Sequence, residues 1–130
     1  MIRPGLGTEL KSLFAGNTAV SAAGTAVATT DYHGVAYIVT NPAVTTDTDT
    51  STSPTAIVTI QTATIADTGW GTITTLKTFT TVTTAVATLE SYELDLDKSL
   101  GNIRAYVTLA ETAVTTAPMS VTALFPDRGY

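Results

Sequence analysis

The sequence predicts an all-β protein: an antiparallel β-sandwich of seven to eight strands with an N-terminal arm. Three observations lead there. Thr is the commonest residue, and its β-branched side chain favours pleated backbone. Short apolar or alternating runs recur along the chain, each bounded by Gly, Pro, Asn, Asp or Ser, with no strand–helix alternation of the kind that builds a parallel sheet. The length of 130 residues suits one core. We therefore divide the chain into an arm, residues 1–17, and a single sandwich domain, residues 18–130.

In the arm, Leu6, Leu10, Leu13 and Phe14 follow a helical spacing, with Thr8 as an N-cap and Gly16 as a stop, which predicts two helical turns over Thr8 to Ala15. So short a helix does not hold in water unless its apolar side lies on a surface, either this domain's flank or a partner. Thr25 to Thr30 reads as a strand leading into the segment Asp31 to Asn41. There Val35 to Thr40, an unbroken apolar and β-branched run between Gly34 and Asn41-Pro42, reads as a central strand covered on both faces. Val35, Tyr37 and Val39 point one way and Ala36 and Ile38 the other, so one set faces a core and the other a flanking segment or another chain.

Residues 45–53, rich in Thr, Ser and Asp, predict an exposed loop. Ala56 to Thr62 follows as a strand with Ala56, Val58 and Ile60 on one face, and a turn at Ala66 to Gly69 makes a hairpin with a strand starting at Trp70. Ile73, Leu76, Phe79, Val82, Val86 and Leu89 have helix-like spacing. The Thr pairs between them are poor helix formers, and short bent strands are expected instead. Ser91 to Asp97 alternates Tyr92, Leu94 and Leu96 with acidic residues, and Ile103 to Leu109 alternates in the same way. A hairpin between these two, with Arg104 paired to Glu93 or Asp95, is the natural expectation. A loop over Glu111 to Pro118 and a last strand, Met119 to Phe125, complete the domain.

A net charge of −5 with Lys and Arg scattered excludes a phosphate-binding surface, so no nucleic acid is expected as a partner, while a basic protein partner is compatible. The absence of Cys removes disulfides, thiolate nucleophiles and cysteine–zinc sites. The first eleven positions mix charge, Pro and Gly and predict no secretory signal, and Thr interrupts every hydrophobic run, so no membrane association is expected. Charged residues make up only 13% of the chain, about half the ordinary share, as suits a surface that works packed against something.

No reactive constellation survives inspection, so no catalytic residue, no cofactor and no metal site is expected, and the chain does not read as an enzyme. Asp31 and His33 lie on one face of an extended segment but make at most half of a coordination shell. Asp47 and Asp49 are spaced like the first ligands of a calcium loop that lacks its Gly and its closing Glu. Asp95 and Asp97 fit a solvated strand face, and the one His has no nucleophile elbow to serve. The candidate partner-binding residues are Leu6, Leu10, Leu13 and Phe14 of the arm with Ala36 and Ile38 of the central strand, and the outward side of that strand is expected at an oligomer interface. Sheet edges with few Lys or Pro blockers apart from Pro118 also predict a homo-oligomer.

The order of an opening arm, the strand Asp31-Tyr32-His33-Gly34-Val35-Ala36-Tyr37-Ile38-Val39, the Ile60-Gln61 strand followed by a turn and Trp70, the strand Ile103-Arg104-Ala105-Tyr106-Val107-Thr108 and the closing Ser120-Val121-Thr122-Ala123-Leu124 resembles the small β-sandwich proteins that decorate or cement the heads of tailed bacteriophages. The likeness covers Thr25 to Leu124. It implies a structural virion protein, made in the host cytoplasm and placed on the outer surface of the capsid. Its partners would be the major capsid protein and itself, often as a trimer, and it would bridge capsomers against internal genome pressure. The competing expectation is a carbohydrate- or receptor-binding sandwich module of a phage tail or bacterial surface protein, using Trp70, Tyr32 or Tyr106.

Overall fold

A computed structural model describes residues 9–18, 21–46, 55–64, 73–83, 86–109 and 114–126. The predicted loop at 45–53 and the turn with Trp70 fall largely outside them, as do Leu6, Asp47 and Asp49. The strands are β1 (Glu9–Thr18), β2 (Ala22–Ala23), β3 (Val27–Ala28), β4 (Val35–Thr40), β5 (Thr45–Thr46), β6 (Ala56–Ala63), β7 (Thr74–Thr78), β8 (Glu90–Asp95), β9 (Asn102–Leu109) and β10 (Val114–Phe125). They form two antiparallel sheets. The first has the order β1-β10-β4-β8, with β5 also on β10; the second has the order β2-β9-β6-β7, with β3 also on β9.

The sandwich expectation holds, and alternation explains its core. From the first sheet Ala36, Ile38, Leu94, Val121, Ala123 and Phe125 point inward, and from the second Ala56, Val58, Ile60, Ile103, Ala105 and Val107. Phe79 and Val82 close one flank, where Ala56 and Val82 exchange both backbone hydrogen bonds at 2.9 Å. The Thr-rich stretch after Ile73 is thus a short strand and a bridge, as its Thr pairs predicted.

The helix expected over Thr8 to Ala15 is instead β1, an edge strand laid along β10 from Glu9↔Phe125 to Thr18↔Ala117. A β-bulge explains the misleading spacing. The ladder skips from Ser12 to Phe14, so Leu13 is an extra residue that turns into the core while Leu10 stays outside. The bulge lets the adjacent Leu13 and Phe14 both lie toward the core, and with Leu10 three positions earlier the set 10, 13, 14 imitates a helix. Gly16, expected to stop a helix, sits within β1 at φ +114°.

Three further expectations are corrected. The strand at Thr25 to Thr30 is reduced to two residues, with another two-residue strand before it. Residues 114–118 are strand rather than loop, and Pro118 lies in β10, inside the sheet, so it blocks no edge. Its carbonyl accepts the Ala43 N–H at 3.0 Å, between the stretch of β10 that pairs β4 and the stretch that pairs β5. Finally, β8 and β9 do not form a hairpin: β8 pairs β4 in the first sheet and β9 pairs β6 in the second. The chain crosses between sheets through a 3-10 turn at Leu96–Lys98 and Gly101, whose φ is +128°. Arg104 therefore lies in the other sheet from β8, and its Nε donates to Gln61 Oε1 at 2.9 Å on the neighbouring β6.

Candidate docking face

The two outer faces of the sandwich differ in chemistry. On the second sheet the outward residues of β6 and β9 are mostly polar: Thr59 stands opposite Tyr106, and Gln61 opposite Arg104. The Arg104 guanidinium lies 5.7 Å from the Tyr106 ring centroid, and its partial burial lowers its pKa, with Tyr106 acting in the opposite sense. An arginine remains charged at neutral pH even so.

On the first sheet the outward residues make an apolar row. Leu10 of β1 is in register with Leu124 of β10, Leu124 with Tyr37 of β4, and Tyr37 with Glu93 of β8. Side chains in register on neighbouring strands stand close enough to touch. Leu10 is 72% exposed, Tyr37 45% and Leu124 43%. Val35, also exposed, continues the patch toward Asp95, and the next row is Ser12, Thr122, Val39 and Ser91. The Tyr37 hydroxyl donates to Ser91 Oγ at 3.1 Å, which fixes the ring across two strands. Scattered exposed apolar residues are ordinary, whereas these stand contiguous on one sheet face, which makes it the candidate for docking.

The chain matches no protein-family model, and no curated protein matches it.

The candidate partner residues divide sharply on this face. Leu10 is on it. Leu13, Ala36 and Ile38 are fully buried between the sheets, and Phe14 is half-buried against the core, so none of these four is presented on that face; within β4 the outward set is Val35, Tyr37 and Val39. Leu124 was missed from the sequence, although its alternation with buried Ala123 and Phe125 carried the signal.

The remaining candidates do not converge. Asp31 and His33 are both exposed but border different recesses, Asp31 beside Lys11 and His33 beside Leu96 and Ser99. Asp95 caps the 3-10 turn by accepting the Asp97 N–H at 3.0 Å. Among the described residues no three His, Cys, Asp or Glu side chains group as a metal site, and no helix is long and apolar enough to cross a membrane. Tyr32, a candidate for stacking on sugar, is a core residue: its ring lies 4.7 Å from that of Phe125 and its hydroxyl donates to Glu9 Oε2 at 2.7 Å. Trp70 lies outside the described residues.

The sequence also gave no sign of a buried polar hub at the sheet crossover. Thr62 Oγ1 accepts the Leu100 N–H at 2.8 Å and donates to the Asn102 carbonyl at 2.8 Å, while Ser99 Oγ lies 3.3 Å from Thr62 Oγ1 and 2.7 Å from Thr29 Oγ1. This hub ties β6, β9 and the crossover turn together.

Proposed function

We propose that the chain is a structural virion protein that binds the outer surface of a tailed-phage capsid as a homo-oligomer and stabilises the shell by bridging neighbouring capsomers. Support comes from the strand-by-strand resemblance described above and from one structural observation, the exposed row Leu10–Leu124–Tyr37 on a sheet whose other face is core. A sheet anchored this way presents its apolar row with little loss of side-chain freedom on binding, which favours a firm protein contact.

The mechanism is physical. A subunit that binds only the assembled, expanded shell adds its binding free energy to that state and to no other. Many copies on one lattice multiply a modest contact into a large effect.

Sedimentation of the purified protein with expanded capsid shells of the phage that encodes it tests the reading. Saturation at a fixed ratio to the major capsid protein is expected; protein that stays in the supernatant at all concentrations contradicts it. A sugar-dependent change in Trp70 fluorescence, with no shell binding, would instead assign the chain to the carbohydrate-binding modules.

A further inference from the structure

We infer that the outer face of the first sheet takes a protein surface with an apolar centre and a Lys- or Arg-bearing rim, and not a second copy of this chain. The inference rests on the capsid reading and adds the chemistry of the partner and the side of the sandwich that meets it. The centre of the face is Leu10, Leu124, Tyr37 and Val35. Its margin is acidic, because β8 places Glu93 beside Tyr37 and Asp95 beside Val35 in register.

Among the described residues of these four strands no cation on the same face balances those carboxylates. Among the residues of β1, β10, β4 and β8 the one cation is Lys11, and it belongs to the inward row, opposite the buried Ala123, where its ammonium pairs with Glu9 at 3.2 Å. A second copy laid on the face would bring the same apolar row and the same acids, with no cation from these strands to meet them, on a chain of net charge −5. A partner with an apolar patch edged by Lys or Arg satisfies both halves of the surface.

The test measures binding of wild-type and variant protein to expanded shells, with circular dichroism and thermal melting showing that each variant folds. Leu124→Ser, and independently the more exposed Leu10→Ser, should weaken binding about tenfold. Glu93→Lys should weaken it about tenfold at about 0.1 M salt, with the gap to wild type closing near about 1 M as charge is screened. Thr108→Lys, which adds a cation on the opposite sheet, should leave it unchanged. Asp95 is left intact because its carboxylate caps the crossover turn.

Shell binding by wild type that none of the first three variants weakens overturns this inference and leaves the capsid reading standing. A wild-type oligomer that Leu124→Ser or Leu10→Ser disperses to monomers also overturns it, by giving the face to a second copy. Wild-type protein that ignores the shells overturns the capsid reading and the inference together.

Discussion

Two residues show how much of the fold depends on single atoms. Gly24 lies where the chain passes between the sheets: its N–H donates to the Ala105 carbonyl of β9 at 2.8 Å, and the Thr25 N–H donates to the Leu13 carbonyl of β1 at 2.9 Å. A Cβ at Gly24 would overlap the Leu13 carbonyl, which is backbone and cannot rotate away. Gly24→Ala should therefore cost about 3 kcal/mol or more, or abolish folding, as read by urea denaturation; a change under about 1 kcal/mol would contradict the close approach. Thr62 makes the complementary case. Thr62→Val keeps the shape but takes the acceptor from the Leu100 N–H and one donor from the Asn102 carbonyl, and should cost about 1 to 3 kcal/mol. Neither role was legible in the sequence. A Gly between Ala-rich and Thr-rich stretches looks like an ordinary loop residue, and one Thr among many carries no mark of burial, because both roles depend on chain segments distant in sequence.

At the scale of elements, alternation and punctuation told which residues are strands, and the long-range partners told the rest. Val35 to Thr40 is a strand with the predicted bounds, and it is central in its sheet, between β10 and β8. It is not covered on both faces, since Val35 and Tyr37 are exposed, and an unbroken apolar run here reflects an exposed apolar row as well as a core face. The inward sets of β6 and β9 follow from the period of two. Periodicity is silent on pairing, however, so the hairpin drawn between β8 and β9 was the wrong joint, although both strands were right. The bulge in β1 is the same lesson in reverse, because one extra residue changed the apparent period and suggested a helix. The two faces of β1 make a sharp prediction about its leucines. Leu13→Ala should destabilise the protein by about 2 to 5 kcal/mol, since it removes a fully buried side chain, whereas Leu10→Ala should shift the denaturation midpoint little. Equal effects from the two would contradict the placement of Leu13 inside and Leu10 outside. Truncation of residues 1–16 should unfold the protein, because it removes most of an edge strand and Leu13 with it.

For the whole molecule, the fold separates two jobs. The space between the sheets is filled by the alternating apolar residues and closed at the crossover by the Thr62 hub, which leaves the outer faces free to differ. One is mostly polar and includes Arg104; the other carries the apolar row with its acidic margin. The sparse charge of the sequence suggests a protein that works packed against something, and on the proposed reading the row is where it does so. Leu10 and the outward side of the central strand, both expected at an interface, meet on it through Leu124, which lies between them. The remaining arm and core candidates did not reach this face because spacing alone could not tell inward from outward. If the face holds the protein on a capsid, bound copies must raise the free energy needed to open the shell. Calorimetric melting of expanded shells, with and without saturating protein, measures that directly. The account predicts a shell transition that moves to higher temperature as occupancy rises and stops moving at saturation. A transition that stays in place on fully occupied shells would contradict it.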